Sequence, residues 1–385
     1  MHVPEAVPEP RPELEPEVAR PSFTRIVEDL PASVPFVGPE AQERVQGRPF
    51  RARIGANESV FGPSPAAIEA MRRTAPESWM YCDPNIHDLR RALARHHGLP
   101  PEAIVIGEGI DGLFGYTVRL FVEAGDKVVT SLGAYPTFNY HVAGYGGRLV
   151  TVPYRDDAED PDALAAAARE HRPKLVFLAN PDNPMGTWHR AARVEALLDA
   201  LPAGTLLCLD EAYIEFAPEG TASAWNPDDP RVIRFRTFSK AYGLAGLRIA
   251  YAVAHPEIAA TFDCVRNHFG VSRIAQEAAL AALGDARHLA AVVEQVAGAR
   301  RRIAEIARAN GLAALPSATN FVTIDCGRDG AVARAVLREL IARDVFVRMP
   351  GVPPLDRCIR VSAGRDADLA LLADALPQAL AAAST

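Results

Sequence analysis

Short apolar runs alternate with longer helical stretches from about Pro63 onward, and this alternation limits the chain to one class of fold. β-branched and large apolar residues fill the short runs, whereas Ala and Leu recur at helical spacing between them. Two runs, LVFLA and TLLCL, are apolar almost throughout, as expected for central strands covered by helices on both faces. The pattern predicts an α/β domain with a mainly parallel sheet. The expected strands are Ala103–Gly107, Lys127–Ser131, Arg148–Pro153, Lys174–Asn180, Thr205–Asp210, Val232–Thr237 and Arg248–Ala254.

A second, smaller unit is predicted after about Cys264. A long helical region covers roughly Ser272 to Asn310 and is followed by mixed strand and helix. The expected elements are a strand at Asn320–Cys326, a helix near Ala331–Arg343, strands at Val345–Met349 and Cys358–Ala363, and a last helix after Asp366. Residues 1–22 are rich in Pro and Glu and are expected to form a disordered tail. The predicted divisions are then an arm at 23–61, a large domain at 62–264 and a small α+β domain at 265–385.

Charge and composition argue against several classes of partner. The 385 residues include 41 basic and 48 acidic side chains, a net charge of −7, and no basic block. Nucleic acids and anionic membrane surfaces attract clustered Lys and Arg, so neither is an expected partner. No apolar run approaches the ~18 residues of a membrane span, and the N-terminus lacks a signal-peptide pattern, so we expect a cytoplasmic protein. The five cysteines are scattered without a C-x-x-C pair, which predicts neither a metal site nor a disulfide framework.

Polar residues gather where the predicted strands end, which is the edge at which open α/β sheets bind ligands. Gly107–Gly112 follows the first strand and is either an ordinary turn or a source of free N–H groups for a phosphate at a helix start. It has neither the G-x-G-x-x-G spacing nor a P-loop lysine. Asn180–Thr187 follows LVFLA and is either a Pro/Asn turn or a loop that directs the Asn183 amide into a cleft.

Two further loops carry charged residues. Asp210 ends an apolar strand, and burying it requires a cationic partner, either within the fold or in a ligand. Lys240 lies between hydroxyl residues and a Gly-rich loop in TFSKAYGLAGLR. A lone lysine is usually a solvated charge, but one surrounded by Phe, Tyr, Leu and Ala has a lowered pKa and is a usable nucleophile. Together the four loops supply an amine, a carboxylate and phosphate donors, the groups that an electron-sink cofactor requires.

Eight short stretches carry a resemblance to a known family. They are ANESVFGPSP, YCDP, GEGIDGLF, GAYPTF, NPDNPMGT, LDEAY, TFSKAYGLAGLR and IRVSAG, in the family's order between Ala56 and Gly364. The chain resembles the fold type I pyridoxal-phosphate enzymes and is most similar to the histidinol-phosphate aminotransferase branch of the class I and II aminotransferases. The resemblance implies a mainly parallel seven-stranded sheet flanked by helices, a smaller C-terminal α+β domain, and pyridoxal 5′-phosphate as cofactor. It also implies a homodimer with shared active sites, to which the N-terminal arm contributes.

The resemblance assigns roles to the residues that would bind the cofactor. Lys240 would form a Schiff base with it and then move the proton between substrate and cofactor. Asp210 would keep the pyridine nitrogen protonated so that the ring can absorb electrons. Asn183 and Tyr213 would hydrogen-bond the phenolic oxygen, and Tyr135 would stack on the ring face. The phosphate would be bound by Gly109, Ile110, Asp111, Thr237, Ser239 and Arg248, with Tyr81 reaching the phosphate in the neighbouring subunit.

Three residues fall where the family binds its substrate. Arg360 would bind the anionic group, since a guanidinium suits a carboxylate and a phosphate equally well. Arg348 matches a second arginine near that anion, or is a surface arginine at a β-edge. Asn57 would line the pocket from the arm. The family's Asn-Glu-Asn-Pro-Tyr-Gly segment is here NESVFG, so this side of the pocket departs from the usual pattern.

The leading hypothesis is a transaminase that exchanges an amino group between an amino donor and a 2-oxo acid by a ping-pong mechanism. Histidinol phosphate, an aromatic amino acid and another specialised amine are all candidate donors. A decarboxylase or an amino-acid oxidase of the same fold would share the cofactor-binding residues, so the sequence leaves both open. A non-catalytic regulatory module is disfavoured, because the N-terminal arm is short, acidic and Pro-rich rather than a basic helix-turn-helix domain.

Overall fold

The computed structural model describes residues 21–30 and 38–383, so residues 1–20 of the predicted tail lie outside the described part of the chain. The strands are β1 (Ala52–Arg53), β2 (Ile104–Gly107), β3 (Lys127–Ser131), β4 (Arg148–Val152), β5 (Leu175–Ala179), β6 (Leu206–Asp210), β7 (Val232–Thr237), β8 (Ala250–Val253), β9 (Ala313–Ala314), β10 (Phe321–Asp325), β11 (Val345–Phe346) and β12 (Cys358–Ser362). The α-helices are α1 (Arg25–Glu28), α2 (Pro39–Gln46), α3 (Pro65–Thr74), α4 (His87–His97), α5 (Gly109–Phe121), α6 (Pro136–Gly144), α7 (Pro161–His171), α8 (Ala191–Ala200), α9 (Pro256–Thr261), α10 (Arg273–Gly284), α11 (Ala286–Ala309), α12 (Gly330–Ala342) and α13 (Asp366–Ala383).

The large sheet has seven strands in the order β2-β8-β7-β6-β5-β3-β4. Neighbours from β4 to β7 are parallel, whereas β8 is antiparallel to both β2 and β7. The predicted mainly parallel sheet is thereby confirmed, and β5 and β6 are buried at every position, as strands covered on both faces must be. The order of the strands reverses between β3 and β5, and such a switch point opens a crevice at the carboxyl ends of the strands.

The predicted helical region at Ser272–Asn310 consists of two helices. α10 ends at Gly284 and α11 begins at Ala286, and the side chain of Asp285 accepts a hydrogen bond from the N–H of His288 (3.1 Å). An aspartate in this position caps a new helix rather than continuing the old one. α10 then packs against α3 and α4 beside the large sheet, whereas α11 packs against β9 and β10.

The small sheet and the arm are joined by backbone hydrogen bonds. β10 lies between β9 and β12 and is antiparallel to both. β1, in the arm, pairs in parallel with β11, with Ala52 opposite Val345. Beyond β1, the Ser362 N–H donates to Ile54 O (2.7 Å), so the arm is attached to β12 as well.

An aromatic cluster beneath the carboxyl edge of the large sheet fixes the position of α5. Phe114 of α5 packs edge-on against Phe138, Phe177 and Phe235, with ring centroids 4.9–5.5 Å apart. All four rings are fully buried, and burial of such side chains is worth roughly 2–3 kcal/mol each. The N-terminus of α5 is therefore held firmly where β2 ends.

No helix within residues 21–30 and 38–383 combines the length and apolar content needed to cross a membrane.

Candidate active site

A cavity of about 670 Å³ lies at the carboxyl edge of the large sheet, between that sheet and the small domain. This volume suits a small organic ligand. The cavity brings together most of the residues that the sequence predicts for cofactor and substrate: Asn57, Ile110, Asp111, Tyr135, Asn183, Asp210, Tyr213, Thr237, Ser239, Lys240, Arg248, Arg348 and Arg360.

Glycine, arginine and hydroxyl side chains build one end of the cavity. Gly109 begins α5 with a φ of +77°, and a Cβ there would collide with the Arg248 guanidinium. Arg248 has a φ of +53°, which ends the turn before β8 and explains why that strand begins at Ala250 instead of Arg248. The N–H of Ser239 donates to Thr237 Oγ1 (3.0 Å), and both side chains line the cavity. Free N–H groups of a helix start, two hydroxyls and a guanidinium make this end a site for an anion.

The first turn of α5 and the start of α6 form the adjoining wall. Asp111 Oδ1 accepts a hydrogen bond from His141 Nε2 (2.9 Å), so this carboxylate already has a partner. Ile110 presents an apolar side chain beside it. Tyr135 precedes α6, and burial raises the pKa of its hydroxyl, which keeps it neutral at physiological pH. The wall thus offers an aromatic ring and an apolar surface to a planar ligand.

Asp210 is the most deeply placed acid of the cavity. It ends β6, is 6% exposed, and its Oδ1 accepts a hydrogen bond from the N–H of Ala212 (2.9 Å). Burial raises the pKa of Asp210 to about 7, and the hydrogen bond from the N–H of Ala212 and the positive charge of Lys240 only partly oppose this rise. A cation bound beside this carboxylate would lower the pKa again and would itself be held in the charged form.

Lys240 follows β7, and its Nζ donates a hydrogen bond to the backbone oxygen of Asn57 (3.1 Å). The ammonium lies 5.6 Å from the centre of the Tyr213 ring. Burial, together with the positive charges of Arg360 and Arg248, lowers the pKa of Lys240 to about 8. A substantial fraction of this amine is therefore neutral and nucleophilic in mildly alkaline solution, unlike an ordinary lysine.

A hydrogen-bonded chain of side chains crosses the middle of the cavity. The Tyr213 hydroxyl accepts from Asn57 Nδ2 (3.1 Å) and from Asn183 Nδ2 (3.4 Å). Asn183 Oδ1 in turn accepts from Arg360 Nη1 (2.5 Å). Asn57, Asn183 and Tyr213 are all at most 9% exposed, so their positions are well defined. The chain links the arm, the loop after β5, the loop after β6 and β12.

Two guanidiniums face the cavity from the small domain. Arg348 and Arg360 form an isolated antiparallel bridge, and the N–H of each donates to the backbone oxygen of the other (3.2 and 2.6 Å). Their side chains both line the cavity, and Arg360 lies 5.1 Å over the Phe321 ring. Arg360 Nε is buried without a hydrogen-bond partner among the described residues. A donor in this condition is costly unless a ligand satisfies it, which marks the site as one for an anionic group.

Tyr81 lies away from the cavity of its own chain. Its side chain is 80% exposed, and its ring lies 4.9 Å from that of Phe269, which is 51% exposed. Its backbone oxygen accepts a hydrogen bond from Arg273 Nη2 (2.9 Å). The role predicted for Tyr81 in a neighbouring subunit stays a prediction.

Sequence reasoning missed several residues that support the site. Ser362 Oγ accepts from the N–H of Asn57 (2.9 Å) and donates to Asn57 Oδ1 (3.0 Å), while Asn320 Nδ2 donates to Asn57 O (3.0 Å). Asn57 has a φ of +55°, and these bonds hold it in that unusual conformation. A signal for Ser362 was present, because it lies two residues after Arg360 on one strand and therefore shares its face. Nothing in the local sequence distinguishes Asn320.

Comparison with known proteins agrees with this geometry. The family model described as aminotransferase class I and II matches residues 53–376. A histidinol-phosphate aminotransferase of Anaeromyxobacter sp. (strain Fw109-5) is 40% identical over 326 residues, 83% of this chain and 89% of that protein. One of Moorella thermoacetica is 33% identical over 355 residues, 91% of each. The crystal structure of histidinol-phosphate aminotransferase from Sinorhizobium meliloti, in complex with pyridoxal 5′-phosphate, is 56% identical with a TM-score of 0.91, over 94% of this chain and 99% of that one. The chain therefore belongs to the class I and II aminotransferases.

Proposed function

We propose that this chain binds pyridoxal 5′-phosphate and transfers an amino group from histidinol phosphate to a 2-oxo acid. The observation that carries the proposal is the position of Lys240, whose pKa of about 8 leaves a reactive amine in the same cavity as Asp210 and an anion site. Relatives from Anaeromyxobacter and Sinorhizobium supply the substrate and cofactor, since both are histidinol-phosphate aminotransferases and the latter holds pyridoxal 5′-phosphate.

The residues of the cavity fit this cofactor in charge and in spacing along the fold. The start of α5, with Thr237, Ser239 and Arg248, would hold the phosphate, and Gly109 supports this because a side chain there would displace the Arg248 guanidinium. Asp210 would face the ring nitrogen, and Tyr135 would cover the ring. The cofactor supplies an aldehyde that bonds to amines and a ring that accepts electrons when a proton leaves the amine-bearing carbon.

Lys240 has two tasks in this scheme. Its neutral Nζ would act first as the nucleophile toward the cofactor's aldehyde. Once the amino donor has displaced it, the same amine would take a proton from the donor's amine-bearing carbon and deliver it to the carbon that came from that aldehyde. A pKa of about 8 suits both tasks, because the amine is neither firmly protonated nor too weak a base. The backbone oxygen of Asn57, 3.1 Å from Nζ, restrains the amine on one side of the cavity.

Asp210, Tyr213 and Asn183 stabilise charge around this proton transfer. An ionised Asp210 would hold a positive charge on the ring nitrogen of a bound cofactor, which is the condition for the ring to accept electrons. The hydroxyl of Tyr213 and the amide of Asn183, which are hydrogen-bonded to each other, would offer further hydrogen bonds to the cofactor. Because these groups are buried, their dipoles are already oriented and need little rearrangement during the reaction.

Arg348 and Arg360 explain how one site can serve two substrates in turn. A ping-pong transamination binds the amino donor and the 2-oxo acid alternately. The donor proposed here carries a phosphate, whereas the acceptor carries carboxylates, and a guanidinium binds both through paired N–H donors. The unpaired Nε of Arg360 is the donor that either anion would satisfy.

We further propose that the protein acts in the cytoplasm as a homodimer in which Tyr81 reaches the cofactor phosphate of the second subunit. The exposed ring of Tyr81, which packs at a tilt against the exposed ring of Phe269, supports this proposal because solvent-exposed aromatic pairs favour burial in an interface. Sedimentation of the purified chain, with Tyr81→Ala as a variant, would test it. A monomer at micromolar concentration would contradict it.

The cofactor assignment is tested most directly by borohydride reduction and mass spectrometry. The chain has only three lysines, Lys127, Lys174 and Lys240, so the labelled peptide identifies the residue unambiguously. We expect a pyridoxyl group on Lys240 alone, because the other two lysines are exposed and do not line the cavity. A panel of amino donors, read by the cofactor's absorbance, then tests the substrate. Histidinol phosphate should change the spectrum and a 2-oxo acid should restore it; release of carbon dioxide or uptake of oxygen would instead identify a decarboxylase or an oxidase.

A further inference from the structure

The strands β3 and β5 separate as they approach the cavity. They are paired only at Val128 with Leu175 and at Val129 with Val176, although β3 continues to Ser131 and β5 to Ala179. This is the switch point of the sheet, where the strand order reverses. The loop with Tyr135 leaves one strand, and the loop with Asn183 leaves the other.

One side chain occupies the gap between the two strand ends. Glu159 is 1% exposed, and its Oε2 accepts a hydrogen bond from Ser131 Oγ (2.6 Å) while its Oε1 accepts from the N–H of Ala179 (2.9 Å). The carboxyl group thus replaces the ladder hydrogen bonds that β3 and β5 no longer make with each other. The backbone oxygen of Glu159 accepts from His189 Nε2 (2.8 Å), which anchors the residue from behind.

A second buried acid continues the bridge into the loop after β5. Asp182 Oδ2 accepts from the N–H of Met185 (3.0 Å), and its Oδ1 accepts from the Tyr154 hydroxyl (2.9 Å). Burial, reinforced by the charge of Asp182, raises the pKa of Glu159 well above its ordinary value. Burial also raises the pKa of Asp182. The two buried carboxyls therefore disfavour each other's ionised form.

We propose that Glu159 is a positioning residue, which sets the separation of the Tyr135 loop from the Asn183 loop and, through Asn183, the direction in which Arg360 presents its guanidinium to the substrate anion. The last link is the short hydrogen bond from Arg360 Nη1 to Asn183 Oδ1 (2.5 Å). The proposal rests on the proposed function, because it assumes that Arg360 binds a substrate phosphate or carboxylate.

The choice of residue supports a positioning role over simple packing. An apolar side chain of similar volume in this gap would avoid the cost of burying a carboxyl group, and such replacements often stabilise a protein. It would leave the N–H of Ala179 and the hydroxyl of Ser131 without partners, and the strand ends could then move. An amide can keep both contacts: the glutamine Oε1 would accept from the N–H of Ala179, and its Nε2 would donate to Ser131 Oγ once that hydroxyl turns to accept. Glutamine is therefore the conservative variant and leucine the disruptive one.

The test compares Glu159→Gln with Glu159→Leu, and uses Glu170→Gln on the exposed surface of α7 as the matched control. Hydrogen–deuterium exchange of the cofactor-free chain measures how fast the backbone amides of the two loops exchange with solvent. We expect faster exchange in residues 132–135 and 180–187 for the leucine variant alone. In the loaded enzyme, the leucine variant should raise KM for both substrates by about tenfold with a smaller loss of kcat. The glutamine variant should remain within about threefold of wild type on both parameters.

The outcomes separate the inference from the proposed function. Unchanged loop exchange and unchanged KM in Glu159→Leu would overturn the inference. An equal rise in KM in the glutamine and leucine variants would also overturn it, because the glutamine variant keeps the hydrogen bonds of the bridge and the leucine variant does not. Failure of the wild-type enzyme with histidinol phosphate would overturn the proposed function instead, and the exchange measurement would still decide whether Glu159 holds the two loops. If the leucine variant does not fold, a Ser131→Ala, Asp182→Asn double variant weakens the same bridge and gives the same two readouts.

Discussion

Asp210 and Glu211 are consecutive, and both are almost fully buried, yet their surroundings differ completely. Asp210 faces the cavity and accepts a hydrogen bond from the backbone of Ala212, and burial raises its pKa to about 7. Glu211 points to the other side, where it accepts from Arg234 Nη2 (2.7 Å) and Arg236 Nε (3.0 Å). Burial alone would raise the pKa of Glu211, but the two arginines outweigh it and hold the pKa below its ordinary value.

The difference separates a structural charge from a functional one. The ion cluster of Glu211 is complete: Arg234 also donates to two backbone oxygens and lies 3.9 Å over the Trp225 ring. The charges around the cavity are not neutralised in this way. Asp210, Lys240 and Arg360 all line the cavity, and none of them forms an ion pair with another of the described residues. Buried charge that the fold does not neutralise is costly, and a cofactor and a substrate that neutralise it recover that cost on binding.

Among substitutions at the cavity, Lys240→Ala should cause the largest loss of activity. Because the same amine is both nucleophile and proton carrier, its removal should lower kcat/KM by more than about ten-thousandfold. The variant should still bind the cofactor through the anion site and Asp210, but without the absorbance of a covalent adduct. Lys174→Ala, at an exposed site, is the control. Measurable turnover by Lys240→Ala above one-hundredth of wild type would exclude the assigned role.

Asp210→Asn should show that a functional charge lowers the stability of the empty site. We expect kcat to fall by about a hundred- to a thousandfold, because the ring nitrogen loses its charged partner. The cofactor-free variant should become more stable at pH 8 by up to about 4 kcal/mol, the linkage value for a carboxyl whose pKa rises from 3.8 to about 7. The sign follows from protonation: the effect is absent below pH 4, grows as pH rises to 7, and then levels off. Urea unfolding at pH 4 and pH 8 measures it, and an equal effect at both would contradict the pKa.

Glu211→Gln should lower the stability of the chain and leave its turnover nearly unchanged, the reverse of Asp210→Asn. Loss of the carboxylate leaves Arg234 and Arg236 buried without a counter-charge, and this should destabilise the chain by about 3–5 kcal/mol. Turnover per folded molecule should stay within about threefold of wild type, because the cluster does not touch the cavity. Unfolding curves and active-site titration measure the two effects, with the exposed Glu219→Gln as control. A large loss of turnover in a stably folded variant would remove the distinction between the two acids.

The smallest effect concerns the pH dependence of cofactor capture. Only the neutral amine of Lys240 is nucleophilic, so the rate at which the cofactor-free chain captures pyridoxal 5′-phosphate should rise with pH and level off above about 8. Below that pH the rate should fall by roughly tenfold per unit. Stopped-flow absorbance between pH 6 and pH 10 measures the profile. A rate that continues to rise through pH 10 would show that Lys240 behaves as an ordinary lysine.

Predictions from sequence were most successful where the signal is local. The seven strands of the large sheet lie within two residues of their predicted positions, and the signal is strongest in β5 and β6, which are covered on both faces and buried at every position. The cavity-lining loops were found because they follow those strands directly. The break between α10 and α11 was missed, since a single Asp285 interrupts an otherwise continuous helical pattern. Glu159 was missed as well, because its partners Ser131 and Ala179 are separated from it by 28 and 20 residues.

The sequence by itself determined the class of fold, the edge of the sheet where ligands bind and the chemical groups that gather there. These follow from periodicity and from the order of short motifs, which act over a few residues. Only the tertiary structure decided how those groups are partnered: that Asn57 bonds to Tyr213, 156 positions away, and that Arg360 bonds to Asn183, 177 positions away. It also decided that Asp210 lacks the arginines which its neighbour Glu211 has. Burial and charge pairing depend on segments that meet only in the folded chain, and they, rather than residue type, set the reactivity of Lys240.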